Sequence, residues 1–291
     1  MTQFNYAEFT TRNLGFVTEA EQDRLRNACI FVCGTGGMGG AAIMTLIRAG
    51  IGRLILADID KFEISNLNRQ LFATLKTVDQ SKADATRDQC LAINPEAQIE
   101  VLGSDWTEEV ERRVETADVV VNGTDDLGAT LLLHRTGRAK GRSVIDAYAS
   151  PLPSVYVTRP NDPSVEERLG YPTAQSSWDA LTADMRAEAA MAEAEYVLTH
   201  SSSRHHIDLG LAGEVIAGQR SRMSFAPMVM MAGTLMGGEA LNAVLGRPHG
   251  ADYRGWFLNP HKGKIEHPLP RPIATLVRPI VRRQLRKLIT T

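Results

Sequence analysis

The run Ala28-Cys29-Ile30-Phe31-Val32-Cys33-Gly34-Thr35-Gly36-Gly37-Met38-Gly39 decides how the chain folds. Its first six residues are apolar and stop at glycine, as a short strand covered on both faces does. The glycines behind it fit G-x-G-x-x-G. Ile43, Met44, Leu46 and Ile47 follow at helical spacing until Gly50 and Gly52 close the segment. Arg53-Leu54-Ile55-Leu56-Ala57-Asp58 is then a second apolar run, ending on a carboxylate. Strand, glycine turn, helix and strand make a βαβ unit, with residues 28–33 as the central strand of a parallel sheet.

The alternation continues downstream. A helix is expected over 81–93, stopped by Asn94-Pro95, then a strand over 98–102, a helix over 108–115 and a strand over 118–122. A helix over 127–139 and a strand over 143–147 follow. Such alternation predicts a doubly wound, Rossmann-like α/β fold with a mostly parallel sheet. After Pro151 the pattern changes. Ser154-Val155-Tyr156-Val157 gives way to an acidic, Ala-rich stretch over 178–198, read as a surface helix pair or partly mobile insert. A Ser, Arg and His loop over 201–206 precedes an apolar helix over 226–245, which is expected to pack back on the sheet, with Met228, Met230, Met231 and Met236 in the core.

The last segment sets Leu276, Ile280, Val281, Leu285, Leu288 and Ile289 among Arg278, Arg282, Arg283, Arg286 and Lys287. This is an amphipathic basic helix, interrupted near its start by Pro279. Docking of its apolar side on the body or on a second copy is expected ahead of binding to anionic lipid or an acidic partner. The predicted organisation is an N-terminal segment (1–27), a nucleotide-binding domain (28–160), an insert or lid (161–225) and a C-terminal extension (226–291).

The 291 residues are 43% hydrophobic and 23% charged, ordinary values for a globular protein of one large domain or two smaller ones. Net charge is −2. Six of the 32 cations lie beyond residue 270 without an acid among them, which leaves 26 against 34 acidic residues for the rest. A mildly acidic body gives no reason to expect a nucleic acid partner. Cys29, Cys33 and Cys90 support neither a disulfide framework nor a C-x-x-C zinc pair, so a reducing cytoplasm is expected. No stretch approaches the ~18 apolar residues of a membrane span, and neither export nor membrane insertion is expected.

The glycine turn has a chemical reading. Glycines allow a tight turn and let backbone N–H groups at a helix N-terminus reach a phosphate. Asp58, at the end of the next strand, lies where a carboxylate binds ribose hydroxyls. The same glycines would also serve mere helix–sheet packing. A dehydrogenase is the usual inference, and an NAD(P)-dependent oxidoreductase is one alternative. The following stretch, Asp58-Ile59-Asp60-Lys61-Phe62-Glu63-Ile64-Ser65-Asn66-Leu67-Asn68-Arg69-Gln70, with Lys82 opening the next helix, suits a triphosphate better than a nicotinamide.

These motifs, together with Asn122-Gly123-Thr124-Asp125-Asp126, resemble the ThiF/MoeB/HesA superfamily of ubiquitin-activating-enzyme-like adenylyltransferases, from about residue 12 to residue 147. The resemblance implies Mg-ATP-dependent adenylation of a carboxylate with release of pyrophosphate. The carboxylate would be the C-terminus of a ubiquitin-like or peptide substrate, or a small carboxylic acid. It further implies that Gly34, Gly36, Gly37, Asp58, Asp60, Asn66, Arg69, Gln70 and Lys82 contact the nucleotide, with Arg69 and Lys82 on its phosphates. Asp125 would hold Mg²⁺. Arg12 would reach the γ-phosphate in the neighbouring subunit of a homodimer. Arg12, Arg69, Lys82 and Asp125 are thus the catalytic set.

The departures matter as much. Many members carry two C-x-x-C pairs for a structural zinc and a cysteine that receives the acyl group. No cysteine follows Cys90 here, so neither zinc nor an enzyme thioester is expected. A mixed anhydride needs protection from water, and residues 163–206 are the candidate lid. His200, His205 and His206 near it are read as solvated surface ahead of metal ligands. Asp126 is either a second metal contact or an ordinary loop acid. A third possibility for the whole protein is a degenerate scaffold that binds nucleotide without chemistry.

Overall fold

The structure is a computed structural model that describes residues 3–148 and 150–290; the side chains of Ile216, Leu288, Ile289 and Thr290 lie outside the description, and with them two apolar positions expected on the basic helix. The strands are β1 (Cys29–Cys33), β2 (Arg53–Ala57), β3 (Gln98–Leu102), β4 (Val119–Asn122), β5 (Val144–Asp146), β6 (Ser154–Thr158), β7 (Trp256–Asn259) and β8 (Lys264–Glu266). Among the described residues they form one sheet in the order β3-β2-β1-β4-β5-β6-β7-β8. The first five in that order are parallel, and β6, β7 and β8 add antiparallel. The helices are α1 (Tyr6–Thr10), α2 (Glu19–Asn27), α3 (Gly37–Arg48), α4 (Lys82–Leu91), α5 (Trp106–Thr116), α6 (Leu127–Ala139), α7 (Val165–Leu169), α8 (Ala183–His200), α9 (Leu209–Ile216), α10 (Ala226–Leu245) and α11 (Arg271–Thr290).

The alternation of β1 feeds two cores. Ile30 and Val32 point to one face, against Ile43, Leu46 and Ile47 of α3 and Met236 and Ala240 of α10. Cys29, Phe31 and Cys33 point to the other, against Val110 and Val114 of α5 and Leu132 and Leu133 of α6. Every residue of β1 is buried, as a strand between two helical layers must be. A third core gathers Tyr148, Leu152, Tyr156 and Phe257 under α7 and α8.

Several expectations need correction. Residues 178–198 are no surface helix pair: α8 is one helix whose Ala189, Glu195 and Val197 are buried in the third core and against α11. Periodicity missed it because the residues it buries, Ala189, Glu195, Val197 and Thr199, include an acid and a hydroxyl and form no apolar stripe. Of the four methionines on α10, Met236 is fully buried while Met228, Met230 and Met231 are half-buried. That helix has a mean hydropathy of 1.3 and is, by length and composition, long and apolar enough to cross a membrane, contrary to the sequence reading. In the fold it packs on α3, β4, β5 and β6. Its buried Glu239 accepts the N–H groups of Gly250 and Ala251.

The basic helix runs from Arg271 through Pro279 without interruption. It docks on α8 and α9 through Val281 and Leu285, whereas Leu276 and Ile280 stay exposed. Charge fixes it there: Arg278 and Arg282 both pair with Glu195, a carboxylate only 1% exposed.

His200 closes α8, and its Nδ1 accepts the N–H of Leu269, which leads into α11. Burial, helped by Arg278 and Arg254, pushes its pKa down to about 4. Between that value and the ordinary one near 6.5 the unfolded chain binds the extra proton, so this contribution is complete above 6.5 and is lost as pH falls to 4. Urea unfolding across that window should show a shallower acid slope for His200→Gln than for the natural sequence.

Candidate active site

Strand order reverses between β1 and β4, and at such a point an open α/β sheet takes its ligand in the crevice outside the carboxyl ends of the strands. Three glycines make it. Gly34 has φ +86°, and a Cβ on it would lie 2.6 Å from the Gly123 carbonyl carbon and the Thr124 nitrogen. A Cβ on Gly39 would stand 1.8 Å from the Gly34 oxygen, and one on Gly123 2.7 Å from the Gly39 Cα. The end of β1, the first turn of α3 and the end of β4 therefore touch backbone to backbone. Gly36 caps α3 without a side-chain bond, and the N–H groups of Gly37, Met38 and Gly39 open that helix with no intrahelical acceptors. They present positive partial charge to the crevice.

Gln70 covers this turn: its amide lies 3.4–3.6 Å from where a Gly36 Cβ would be. Its Oε1 is buried without a hydrogen-bond partner, an acceptor left open against the glycine turn. Arg69 lies over Gly37, with its Nη1 donating to the Ser65 carbonyl and to Asn68 Oδ1, both at 2.9 Å. Asn66 is buried and accepts the Glu63 N–H through Oδ1, while its carbonyl takes the N–H groups of Arg69 and Gln70. It therefore shapes the loop that carries both.

Asp58 accepts the Thr35 N–H at 2.7 Å and hydroxyl at 3.1 Å through Oδ2, and the Asp60 N–H at 3.0 Å through Oδ1. It ties the end of β2 to the glycine turn and keeps lone pairs free for ribose hydroxyls. Asp60 is 2.8 Å from Lys82 Nζ. Lys82 is only 8% exposed.

Asp125 is exposed at the end of β4. Asp126 is engaged within the protein: Oδ1 caps α6 through the Ala129 N–H, and Oδ2 pairs with Arg186 of α8 at 2.8 Å. Among the described residues no group of three or more His, Cys, Asp or Glu side chains stands together as a metal cage. His205 and His206 lie apart from the crevice; the His206 ring stacks on His261 at 4.3 Å. Arg12 is exposed in a 3-10 turn whose Asn13 bonds the Ala49 carbonyl at the far end of α3. A helix of 12 residues spans about 18 Å, beyond the reach of one Arg side chain.

The ThiF family model matches residues 10–271. The chain belongs to the ThiF family. It is 42% identical over 87 residues to the tRNA threonylcarbamoyladenosine dehydratase of Bacillus subtilis, covering 30% of this chain and 34% of that protein. It is 35% identical over 107 residues to the sulfur carrier protein ThiS adenylyltransferase of Escherichia coli, covering 36% and 43%. The chain thus spans less than half the length of these curated relatives. Its fold is similar to that of E. coli MccB, with a TM-score of 0.64 over 91% of this chain and 71% of that one at 18% identity.

Three parts of this ThiF-family crevice escaped the sequence reading. Thr35, a variable position of the glycine motif, is the residue that Asp58 grips. Val229 of α10 stands 2.6 Å from where a Gly37 Cβ would be, and Asn68 bonds the Ser224 carbonyl at 3.1 Å. Arg186 reaches in from α8. None carries a local signal, since their partners lie far away in the sequence. The backbone contact itself is testable. Gly39→Ala should destabilise the protein by about 1–3 kcal/mol in chemical unfolding, the usual cost of overpacking, whereas Gly238→Ala, at an open position inside α10, should stabilise it by up to about 1 kcal/mol.

Proposed function

We propose that this chain is an ATP-dependent adenylyltransferase that joins a carboxylate to AMP and releases pyrophosphate. The observation that supports the reading is that Arg69 lies against Gly37 at the amide end of α3, that Lys82 pairs with Asp60 two residues beyond the Asp58 that grips Thr35, and that Asp125 follows Gly123, which touches Gly34 and Gly39. Membership of the ThiF family and the likeness to a named adenylyltransferase support it. The NAD(P) alternative has no such support.

A carboxylate is already ionised at neutral pH, so its attack on the α-phosphorus needs no base. A carboxylate oxygen forms the new O–P bond as the bond between the α-phosphorus and the β-bridging oxygen breaks, and pyrophosphate leaves with the electron pair. The protein's task is to hold anions together and to stabilise charge on the phosphoryl oxygens. The α3 amides, Arg69 and Lys82 would do this, Lys82 exchanging the exposed Asp60 for phosphate. Mg²⁺, held by Asp125 and completed by phosphate and water as is usual for this ion, would neutralise the same oxygens. Gly34, Gly36 and Gly37 would line the nucleotide and Asp58 would take the ribose.

The substrate would be the C-terminus of a ubiquitin-like protein or peptide, or a small carboxylic acid. Burial pushes all three thiols up, Cys90 to about 12, which supports transfer without an enzyme thioester and the absence of structural zinc. Free thiols also favour a reducing, cytoplasmic setting. The segment 163–206, tied to the crevice by Arg186, would serve as the cover. Exchange of labelled pyrophosphate into ATP, with a panel of carboxylates, tests the reading. Arg69→Ala and Asp125→Ala should each lower exchange by about 10²–10³-fold. Tight ATP binding with no exchange for any substrate would leave the scaffold reading instead.

The homodimer belongs to the same proposal. Arg12 is too far from its own glycine turn, and beside it Phe16, 85% exposed, lines an apolar groove with Leu235 and Leu241 of α10. A second copy seated there would carry Arg12 to the other crevice. Mixing inactive Arg12→Ala and Asp125→Ala proteins should then restore about a quarter of natural exchange activity, because half of the sites in each mixed dimer are complete. No recovery after verified subunit exchange would refute an Arg12 that acts between subunits.

A further inference from the structure

At the opposite end of the sheet from the crevice lies a cavity of about 220 Å³ between α6, α7 and the paired ends of β5 and β6. Val144 opens β5 and stands in register with Thr158, the last residue of β6. Four arginines line the cavity, Arg135, Arg138, Arg142 and Arg159, with His134 at its floor. Glu166 and Glu167 line it too, and with Asp162 they pair three of the four guanidinium groups. Glu166 is taken up by Arg135, at 2.8 and 3.1 Å, and by the Thr173 hydroxyl. Glu167 stands 3.8 Å from Arg138, and Asp162 stands 3.7 Å from Arg159. Arg142 forms no ion pair among the described residues; its Nη2 donates to the Glu115 carbonyl.

Three polar atoms of the lining are buried without any partner: His134 Nδ1, Thr158 Oγ1 and Arg142 Nε. His134 is 6% exposed and Thr158 7%. Buried donors and acceptors are nearly always satisfied, so three orphans around one cavity mark a place that something else completes. The one guanidinium left over, that of Arg142, favours an anion over a cation. Arg142 Nε offers an N–H and Thr158 an O–H. His134 holds its Nε2 2.9 Å from the buried Asp146 carboxylate, which leaves Nδ1 as the ring atom without a protein partner. Two donors and one unpartnered ring nitrogen around a volume of this size suit the several oxygens of a tetrahedral oxyanion better than a planar carboxylate with two.

We propose that this cavity binds a small anion of the phosphate class. Orthophosphate and the pyrophosphate that the proposed reaction would release share this chemistry, and the site stands whether or not the adenylation reading does. Calorimetry on the full chain would titrate each anion separately, with malonate as the carboxylate comparison and Arg69→Ala protein to weaken the glycine turn. Saturable binding of one phosphate species is expected, tighter than that of malonate and unchanged by Arg69→Ala. Arg142→Gln and the near-isosteric Thr158→Val should each weaken it, Arg142→Gln by roughly tenfold or more, the share of one charge-assisted hydrogen bond. Binding lost in Arg69→Ala but kept in Arg142→Gln would put the anion at the crevice and overturn the proposal. So would the absence of saturable binding to protein whose thermal unfolding is cooperative.

Discussion

Everything in the crevice depends on the backbone contact among Gly34, Gly39 and Gly123. It brings the open end of α3 against the end of β4 with no side chain between them, so the phosphate-facing amides and the Asp125 loop keep a fixed spacing. The contact is costly in local terms. Gly37, Gly39 and Gly40 in the first turn of α3 sacrifice about 1 kcal/mol each against alanine. Ile43, Leu46 and Ile47 follow at once and are fully buried, worth about 1.5–3 kcal/mol apiece. The apolar half of the helix thus holds down a first turn that would not form by itself.

Charge pairing separates the cations that build the fold from those left available to a ligand. Arg135 is chelated by Glu166, and Arg278 and Arg282 hold the buried Glu195, so removing any of them strands a carboxylate with little access to water. Arg69 leans on a backbone carbonyl and a side-chain amide, neutral acceptors that orient it without spending its charge. Lys82 is the intermediate case. Its partner Asp60 has a side chain 65% exposed, and an exposed acid contributes little to such a pair, so exchange for a phosphate costs little.

Much of this was legible in the sequence because the first half of the chain obeys local rules. The run from Ala28 to Gly39, the apolar strand before Asp58 and the Asn66–Gln70 loop carry their structure in consecutive residues, and the parallel sheet, α6 and α10 fall where spacing put them. The second half obeys different physics. α8 buries an acid and a hydroxyl beside Ala189 and Val197, β6 to β8 are short antiparallel additions fixed by non-local pairing, and α11 is held by a buried carboxylate 83 residues away. No window of sequence contains such a partner. The site divides the same way: Asp58, Asn66, Arg69 and Lys82 are read from motifs, whereas Val229 and Arg186 arrive from elements that only the fold brings near.

The position of α10 explains why such distant residues reach the crevice at all. Gly233 and Gly237 lie one turn apart on the face toward α3. A Cβ at Gly233 would stand 2.1 Å from the Met38 carbonyl oxygen, and one at Gly237 2.8 Å from Thr45 Cβ. The two helices therefore approach as closely as their backbones permit, and α3 is clamped between β1 and α10. One turn before Gly233, Val229 then rests on Gly37 by geometry alone. An apolar composition that by length could suit a bilayer serves here to press one helix against another, and the pressure falls on the turn whose amides face the crevice. A change in how α10 sits would therefore act on the glycine turn directly, through Gly37 and Met38.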